Sequence, residues 1–205
     1  MKHLIITRLM YEDKNLLDQR IALTRKILIP DLLKQKNQNF VLAIMAFEED
    51  FMHMHFLLED YPDIKNLAFS DYNDLKQFCI KENFQIQTRH DSDDGMHPEY
   101  IEKIQTIAKD VIDKGNTLIQ FQPTKKTYPG QQIIKMPLYT HTYNSGFLSL
   151  VQNKVTKTVY QRSHILMHTE ADQVVTVPEG YVTYWWHDLN NSHLPREVRL
   201  NQHKF

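Results

Sequence analysis

The stretch that decides the fold lies near the middle of the chain, where Phe84-Gln85-Ile86-Gln87-Thr88-Arg89 runs through His90 into Asp91-Ser92-Asp93-Asp94-Gly95. Apolar and polar residues alternate in its first part, which predicts a β-strand, and this strand ends at an acidic turn, residues 91–94. Three carboxylates within four residues repel one another, which costs stability unless a cation or a basic group lies beside them. Mg²⁺ and Mn²⁺ suit such a place, since hard divalent ions bind carboxylate oxygens and complete their shell with water and substrate phosphates. The alternative is a solvated turn in which Asp94 or Gly95 caps the following helix, and the spacing alone leaves both interpretations open.

The rest of the first half of the chain alternates between predicted strands and predicted helices. Strands are predicted at residues 3–9, 40–46, 66–70 and 84–89, and helices at residues 15–36, 52–60, 74–81 and 98–114. Pro30 is expected to kink or divide the first of these helices. Such an alternation implies a largely parallel sheet that is covered by helices.

The second half of the chain changes character. Shorter strands are predicted at residues 117–121, 147–151, 173–177 and 181–186, and a polar loop separates the first two. A chain of 205 residues can bury most of its apolar surface as one unit. We therefore predict a single α/β domain over residues 1–205, with a mixed, mainly parallel sheet flanked by helices and an irregular C-terminal third.

Composition excludes several classes of function. Lys and Arg number 24 against 25 Asp and Glu, giving a formal net charge of −1, whereas a protein that binds a nucleic-acid backbone should show a basic surplus. The sequence has no run of about 18 apolar residues, so no transmembrane segment is expected. The single cysteine, Cys79, excludes an internal disulfide and fits a reducing compartment, which predicts a cytoplasmic protein.

Two arginines accompany the acidic turn at the predicted strand ends. Arg8 ends the first predicted strand and Arg89 ends the strand before the turn. Ligands of open α/β sheets bind beyond the carboxyl ends of the strands, so these residues are expected at one site. A cation on carboxylates beside arginine side chains suits a ligand that carries a diphosphate, although ordinary surface ion pairing is the other interpretation of both arginines.

The motif around the acidic turn resembles that of a known group of enzymes. Thr88-Arg89-His90-Asp91-Ser92-Asp93-Asp94, followed by His97-Pro98, resembles the Asp-x-Asp region of nucleotide-sugar glycosyltransferases with the GT-A fold, and more narrowly the rhamnosyltransferase family of that fold. Shorter matches occur in the same order along the chain: Thr7-Arg8, Arg20, Ile29-Pro30-Asp31-Leu32-Leu33-Lys34-Gln35, Phe147-Leu148-Ser149-Leu150, and Tyr184-Trp185-Trp186-His187-Asp188-Leu189-Asn190-Asn191-Ser192.

This resemblance implies a metal-dependent glycosyltransferase with a GT-A-like fold, which transfers a sugar from a UDP- or dTDP-linked donor to a glycan acceptor. Residues 1–115 would form the nucleotide-binding half and residues 116–205 the acceptor side, and rhamnose is suggested by the name of the family alone. The resemblance places the donor nucleotide against Thr7, Arg8, Arg89 and Asp91. It places Mn²⁺ or Mg²⁺ on Asp91, Asp93, Asp94 and His187. On composition alone, His187 is equally well explained as a core histidine among aromatic residues.

The acceptor hydroxyl of an inverting glycosyltransferase must lose its proton to a carboxylate or a histidine. Glu170 and Asp172 are the candidate catalytic bases, and the other interpretation of their segment is a polar connection. A metal-dependent phosphohydrolase or nucleotidyltransferase would also use clustered aspartates on an α/β sheet. The glycine-rich loop that nucleotidyltransferases usually carry near the N-terminus is missing from the sequence. A non-catalytic carbohydrate-binding module on the same fold is the remaining alternative.

Overall fold

The computed structural model describes residues 1–59, 61–127, 147–163 and 166–186. Its helices and strands, in chain order, are β1 (His3–Arg8), α1 (Lys14–Lys26), α2 (Leu28–Leu33), β2 (Val41–Met45), α3 (Phe51–Glu59), β3 (Asn66–Phe69), α4 (Tyr72–Glu82), β4 (Ile86–Arg89), β5 (Gly95–Met96), α5 (Tyr100–Val111), β6 (Thr117–Phe121), β7 (Thr124–Thr127), β8 (Leu148–Val151), β9 (Gln173–Val177) and β10 (Val182–Trp186). Short 3₁₀ helices cover Glu48–Asp50 and Met167–Glu170.

Seven of the described strands form one sheet, in the order β3-β2-β1-β4-β8-β6-β9. Strands β3, β2, β1 and β4 are parallel, β8 runs antiparallel between β4 and β6, and β9 is parallel to β6. The predicted mixed, mainly parallel α/β sheet is therefore confirmed. Because β1 to β4 point the same way, their carboxyl ends share one edge of the sheet, and the acidic turn follows β4 at that edge.

A second, smaller sheet holds the chain directly after the acidic turn. Its order is β5-β10-β7, with Val182 opposite Met96 and Thr183 opposite Gly95 in the antiparallel β5–β10 pair. Of these three strands, β10 is predicted from the sequence, and β5 and β7 are not. Strand β5 is two residues long and β7 is Thr-Lys-Lys-Thr, so neither offers an apolar alternation from which a strand could be predicted.

The hydrophobic core lies on both faces of the seven-stranded sheet. Successive side chains of a strand point to opposite faces, so Ile5 packs with residues of α1, α2 and α5, while Leu4 and Ile6 pack with residues of α4 and of segment 155–167. Met96 and Val182 of the small sheet belong to the same buried cluster as Ile5. The small sheet therefore shares its core with one face of the large sheet.

The first predicted helix is divided in two, as expected, but the division falls at Ile27 between α1 and α2. Pro30 is the third residue of α2, within the first turn, where its missing backbone N–H leaves no intrahelical hydrogen bond unmade. None of the helices in the described ranges has the length and apolar content needed to cross a bilayer.

Candidate functional site

The acidic turn is held in place by backbone groups. The backbone N–H of His90 donates to the carbonyl oxygen of Ile6 in β1 at 3.0 Å, which continues the β1–β4 ladder past the end of β4. Inside the turn, the Asp94 N–H donates to the Asp91 carbonyl oxygen at 3.3 Å. The buried ring of His90 donates from Nε2 to the Asp94 carbonyl oxygen at 3.1 Å. Burial lowers the pKa of His90, which favours this neutral form of the ring.

Asp93 forms a buried ion pair with Arg20 of α1. The side chains of Arg20 and Asp93 are 4% and 3% exposed, and the Arg20 Nη1 contacts Asp93 Oδ2. Arg20 also donates from Nε to the Tyr11 hydroxyl at 2.8 Å, and its guanidinium carbon lies 5.6 Å from the centre of the Tyr11 ring. Burial lowers the pKa of Arg20, but Asp93 and Tyr11 outweigh that effect and the net pKa is raised.

Asp94 is also buried, and its partner comes from the far end of the chain. Its Oδ1 accepts a hydrogen bond from the backbone N–H of Trp185 in β10 at 3.1 Å. Burial, followed by the charges of Asp93 and Asp91, raises the pKa of Asp94 well above its ordinary value. The hydrogen bond from Trp185 and the charge of Arg20 act in the opposite direction.

Asp91 is the carboxylate of the acidic turn that faces solvent. Its side chain is 44% exposed, and its Oδ1 lies 3.8 Å from the Nε of Arg89, whose side chain is 13% exposed. That Nε is buried and makes no hydrogen bond within the described residues. The pair is therefore a loose electrostatic contact, which leaves donors of the guanidinium for another anion.

Arg8 and Arg89 lie among tyrosine rings at the same edge of the sheet. The guanidinium carbon of Arg89 lies 4.9 Å from the centre of the Tyr160 ring, and the Tyr160 and Tyr72 rings are 5.3 Å apart. Burial lowers the pKa of Arg8, but Tyr72, Tyr160, Tyr11 and Asp91 outweigh it and the net pKa is raised. Arg8 also hydrogen-bonds to Tyr72. Both arginines therefore lie at the edge of the sheet that carries the exposed carboxylate of Asp91.

This edge of the sheet carries side-chain oxygen atoms of the kind that divalent cations bind. Asp91 offers an exposed carboxylate, and the buried hydroxyls of Thr7 and Ser92 have no hydrogen-bond partner in the described part of the chain. The described residues contain no group of three or more His, Cys, Asp or Glu side chains arranged to hold a metal. Carboxylate and hydroxyl oxygens suit Mg²⁺ or Mn²⁺, which usually take one or two carboxylates and complete their shell with water and phosphate. The fourth expected metal ligand, His187, lies outside the described residues.

Glycine is required at position 95, directly after the acidic turn. A Cβ atom built on Gly95 would lie 2.9 Å from Nε1 of the Trp185 indole and 3.3 Å from Oδ2 of Asp31. The same Asp31 oxygen accepts the backbone N–H of Met96 at 2.9 Å. Chain segments from α2, β5 and β10 therefore meet at the back of the turn with no room for a side chain.

Of the two candidate catalytic bases, Asp172 is not brought to this site, and Glu170 is held in ion pairs. Asp172 accepts the backbone N–H of Asn116 at 2.7 Å, just before β6, and β9 begins at the next residue. This is the amino-terminal edge of β6 and β9, opposite the edge that carries the acidic turn, because β6 runs parallel to β4. Glu170 is paired with Lys157 at 2.8 Å and with Arg162 at 3.0 Å. These contacts support the alternative interpretation of a polar connecting segment.

Two contributions to the site are not predicted from the sequence. Arg20 belongs to one of the short family matches and has no predicted role, yet it neutralises Asp93. The signal was present, because Arg20 lies on the buried stripe of α1 that also carries Leu16, Leu17 and Thr24. A charged residue on such a stripe needs a buried partner. Tyr160 carried no signal, since nothing in the local sequence shows that it reaches Arg89.

Comparisons with known proteins agree with this architecture. The family model described as "Putative rhamnosyl transferase" matches residues 6–197. No curated protein sequence matches the chain.

Three solved structures of TarS from S. aureus resemble the chain, at about one residue in ten identical. TarS 1-349 in complex with UDP-GlcNAc gives a TM-score of 0.56 at 10% identity, over 91% of this chain and 59% of that chain. TarS gives a TM-score of 0.52 at 11% identity, over 92% of this chain and 37% of that chain. TarS 1-349 in complex with UDP gives a TM-score of 0.50 at 10% identity, over 92% of this chain and 61% of that chain. The chain thus spans about three fifths of the length of TarS 1-349. At this identity the likeness shows the fold, and the predicted GT-A-like fold is confirmed.

Proposed function

The chain belongs to the family described as "Putative rhamnosyl transferase", and from this premise we propose that it is a metal-dependent glycosyltransferase that moves a sugar from a nucleotide-sugar donor to a hydroxyl of a glycan acceptor. The observation that carries the proposal is the meeting of Arg8, Arg89 and Asp91 at the carboxyl edge of β1 and β4. Two guanidinium groups at the edge that carries an exposed carboxylate suit a diphosphate bound through a cation.

In the proposed reaction, Arg8 and Arg89 stabilise the negative charge of the leaving group. As the bond between the sugar and the diphosphate breaks, negative charge develops on the departing nucleoside diphosphate. Planar guanidinium groups match phosphate oxygens with paired hydrogen bonds and keep their charge at every physiological pH. The tyrosine rings restrict the guanidinium of Arg89, so less conformational freedom is lost when it binds.

Asp91, together with the hydroxyl of Thr7 or Ser92, would hold a divalent cation beside the arginines. When bound, Mg²⁺ or Mn²⁺ would supply further neutralisation of the phosphate charge. Asp93 and Asp94 lie behind Asp91 and fix the shape of the turn through Arg20 and Trp185. His187 stays a predicted ligand, two residues beyond Trp185 in the sequence.

The donor in this proposal is a UDP- or dTDP-sugar. The TarS structures that share the fold were solved with UDP-GlcNAc and with UDP, which supports a pyrimidine nucleotide here. The description of the family supports rhamnose as the transferred sugar. Neither Glu170 nor Asp172 is included in the proposed site, because Asp172 lies at the opposite edge of the sheet and Glu170 is paired with two cations.

Thermal unfolding with UDP, dTDP and ADP, each with and without Mn²⁺, tests the proposal. We expect UDP or dTDP to stabilise the protein in the presence of Mn²⁺, by about 2.7 kcal/mol when the free nucleotide is at ~100 times its Kd. Release of the same nucleotide from a UDP- or dTDP-sugar, measured with a glycan acceptor, tests the transfer itself. If no nucleoside diphosphate stabilises the folded protein under any of these conditions, the proposed function is wrong.

Two arginine variants separate a specific site from general attraction between charges. Arg89→Gln should weaken the binding of the nucleoside diphosphate by about tenfold to a hundredfold, since it removes charged hydrogen bonds to phosphate. Arg162→Gln is the matched control, because Arg162 is 59% exposed and is paired with Glu170 instead. Equal losses in the two variants would show that the nucleotide does not bind at the edge that carries Arg89.

A further inference from the structure

Arg20 is a buried cation whose side chain is 4% exposed, which is too little surface for contact with a substrate. It contacts Asp93 and Tyr11 at once, through Nη1 and Nε, and the Tyr11 ring lies beside the guanidinium carbon. Arginine stays protonated in proteins, so no change of pH in the physiological range removes this charge. Asp93 therefore has a permanent internal counter-ion.

The three carboxylates of the acidic turn consequently differ in what they can bind. An external cation could reach Asp93 only by entering a position that is 3% exposed and by displacing Arg20 from it. Asp94 is 2% exposed, and one of its oxygens already accepts the Trp185 N–H. Asp91, at 44% exposed, is the carboxylate that solvent ions can reach.

A single accessible carboxylate is a weak site for a hard divalent cation. Mg²⁺ gives up its water reluctantly, and protein sites usually bind it through one or two carboxylates together with substrate phosphates. With two accessible carboxylates, the same site would bind the cation more tightly when no phosphate is present. The pairing of Asp93 with Arg20 thus determines whether the metal can bind in the absence of a diphosphate.

We propose that Arg20, by pairing with Asp93, leaves Asp91 as the carboxylate of the acidic turn that binds a divalent cation. The cation then binds together with a diphosphate, and it binds only weakly when the diphosphate is absent. This inference rests on the proposed function and adds to it a role for Arg20 and an order of binding. Arg20 is a positioning residue, since it touches neither the donor nor the cation.

Binding of Mn²⁺ alone, followed by electron paramagnetic resonance of the free ion, tests the role of Arg20 without any measurement of activity. The wild-type protein should bind Mn²⁺ at least about tenfold more weakly in the absence of UDP than in its presence, because the carboxylate and the phosphates share the ion. Arg20→Met should raise the affinity for Mn²⁺ alone by about tenfold or more, because Asp93 loses its counter-ion and adds a second carboxylate to the site. Arg20→Lys keeps the charge and should show no such gain.

Replacing the carboxylates gives a second test if Arg20→Met does not fold. Asp91→Asn should lose the Mn²⁺-dependent part of UDP binding, whereas Asp93→Asn should keep it as long as thermal unfolding shows a folded protein. Loss of that binding in a folded Asp93→Asn protein would overturn the inference, and so would a folded Arg20→Met protein that binds Mn²⁺ no more tightly than the wild type. In both cases the wild-type protein would still bind UDP in the presence of Mn²⁺. A wild-type protein that does not bind UDP with Mn²⁺ would contradict the proposed function itself.

Discussion

At the scale of single residues, Gly95 is a position where the packing leaves no room for a side chain. The Cβ of an alanine would lie 2.9 Å from Nε1 of Trp185 and 3.4 Å from Cβ of Thr183, so β10 or the acidic turn must move. We expect Gly95→Ala to lower the free energy of unfolding by about 1–3 kcal/mol, the usual cost of overpacking. Because the turn itself shifts, the affinity for UDP in the presence of Mn²⁺ should fall as well. Urea unfolding and a UDP titration measure the two effects.

Gly180 provides the comparison for this variant. Its φ is +118°, which strains any side chain, but a Cβ there would meet nothing within 4 Å. Gly180→Ala should therefore cost stability, by about 1 kcal/mol, and leave the affinity for UDP as it is. If Gly95→Ala binds UDP as well as Gly180→Ala does, the close packing behind the turn has no influence on the site.

The sequence predicts the carboxylates of the turn but not the differences among them. Asp91, Asp93 and Asp94 are equivalent candidates in the sequence, since spacing shows that they are close and says nothing about burial. The partners that distinguish them are Arg20, 73 positions from Asp93, and Trp185, 91 positions from Asp94. Contacts over such separations follow from the fold as a whole, and no local pattern encodes them.

At the scale of elements, regular periodicity accounts for most of what the sequence predicts. Strands β6 and β9 have the predicted bounds, and β1, β2, β3 and β4 lie within their predicted ranges. The strands that were missed, β5 and β7, are stabilised by pairing with β10 and have little apolar content of their own. The placement of Asp172 away from the acidic turn has a related reason: the direction of β9 decides which edge carries Asp172, and that direction depends on pairing with β6.

The first strand contains a buried histidine that makes stability depend on pH. His3 bonds through Nε2 with the Thr88 hydroxyl at 2.7 Å, and Thr88 bonds with the Ser149 hydroxyl at 2.7 Å, which links β1, β4 and β8 inside the core. Burial lowers the pKa of His3 to about 3 from the ordinary 6.5. Between these values the unfolded chain binds a proton that the folded protein does not. The free energy of unfolding should therefore fall as pH drops from 6.5 towards 3, by about 1.4 kcal/mol per pH unit from this one group.

Replacing this histidine tests the assignment. His3→Gln removes the titrating group and keeps a polar side chain, so the slope of unfolding free energy against pH between pH 6 and 4 should become shallower by about 1.4 kcal/mol per unit. His53→Gln is the matched control, since the His53 side chain is 51% exposed. Urea unfolding at several pH values measures both slopes. A slope for His3→Gln equal to that of the wild type would contradict a buried neutral His3.

At the scale of the whole molecule, the two halves of the chain share one core and one site. Trp185 from β10 bonds to Asp94 and the Tyr160 ring lies beside Arg89, so residues after position 116 contact residues assigned to the metal and to the donor. Met96 and Val182 pack in the same buried cluster as Ile5 of β1. A division into separately folding halves is not expected from these contacts, and a single domain over residues 1–205 stays a prediction.

The tryptophans allow this prediction to be tested directly. Both tryptophans of the chain, Trp185 and Trp186, lie in β10, so their fluorescence reports on the small sheet, whereas far-UV circular dichroism reports mainly on the helices and the large sheet. Because the small sheet is packed into the core of the large one, we expect urea to unfold both in a single transition with the same midpoint. UDP with Mn²⁺ should raise both midpoints equally, since the proposed site lies where the two sheets meet and would be lost when either unfolds. A fluorescence transition at a lower urea concentration than the dichroism transition would show instead that β10 separates while the large sheet stays intact. The acidic turn would then lose the Trp185 hydrogen bond before the rest of the fold unfolds.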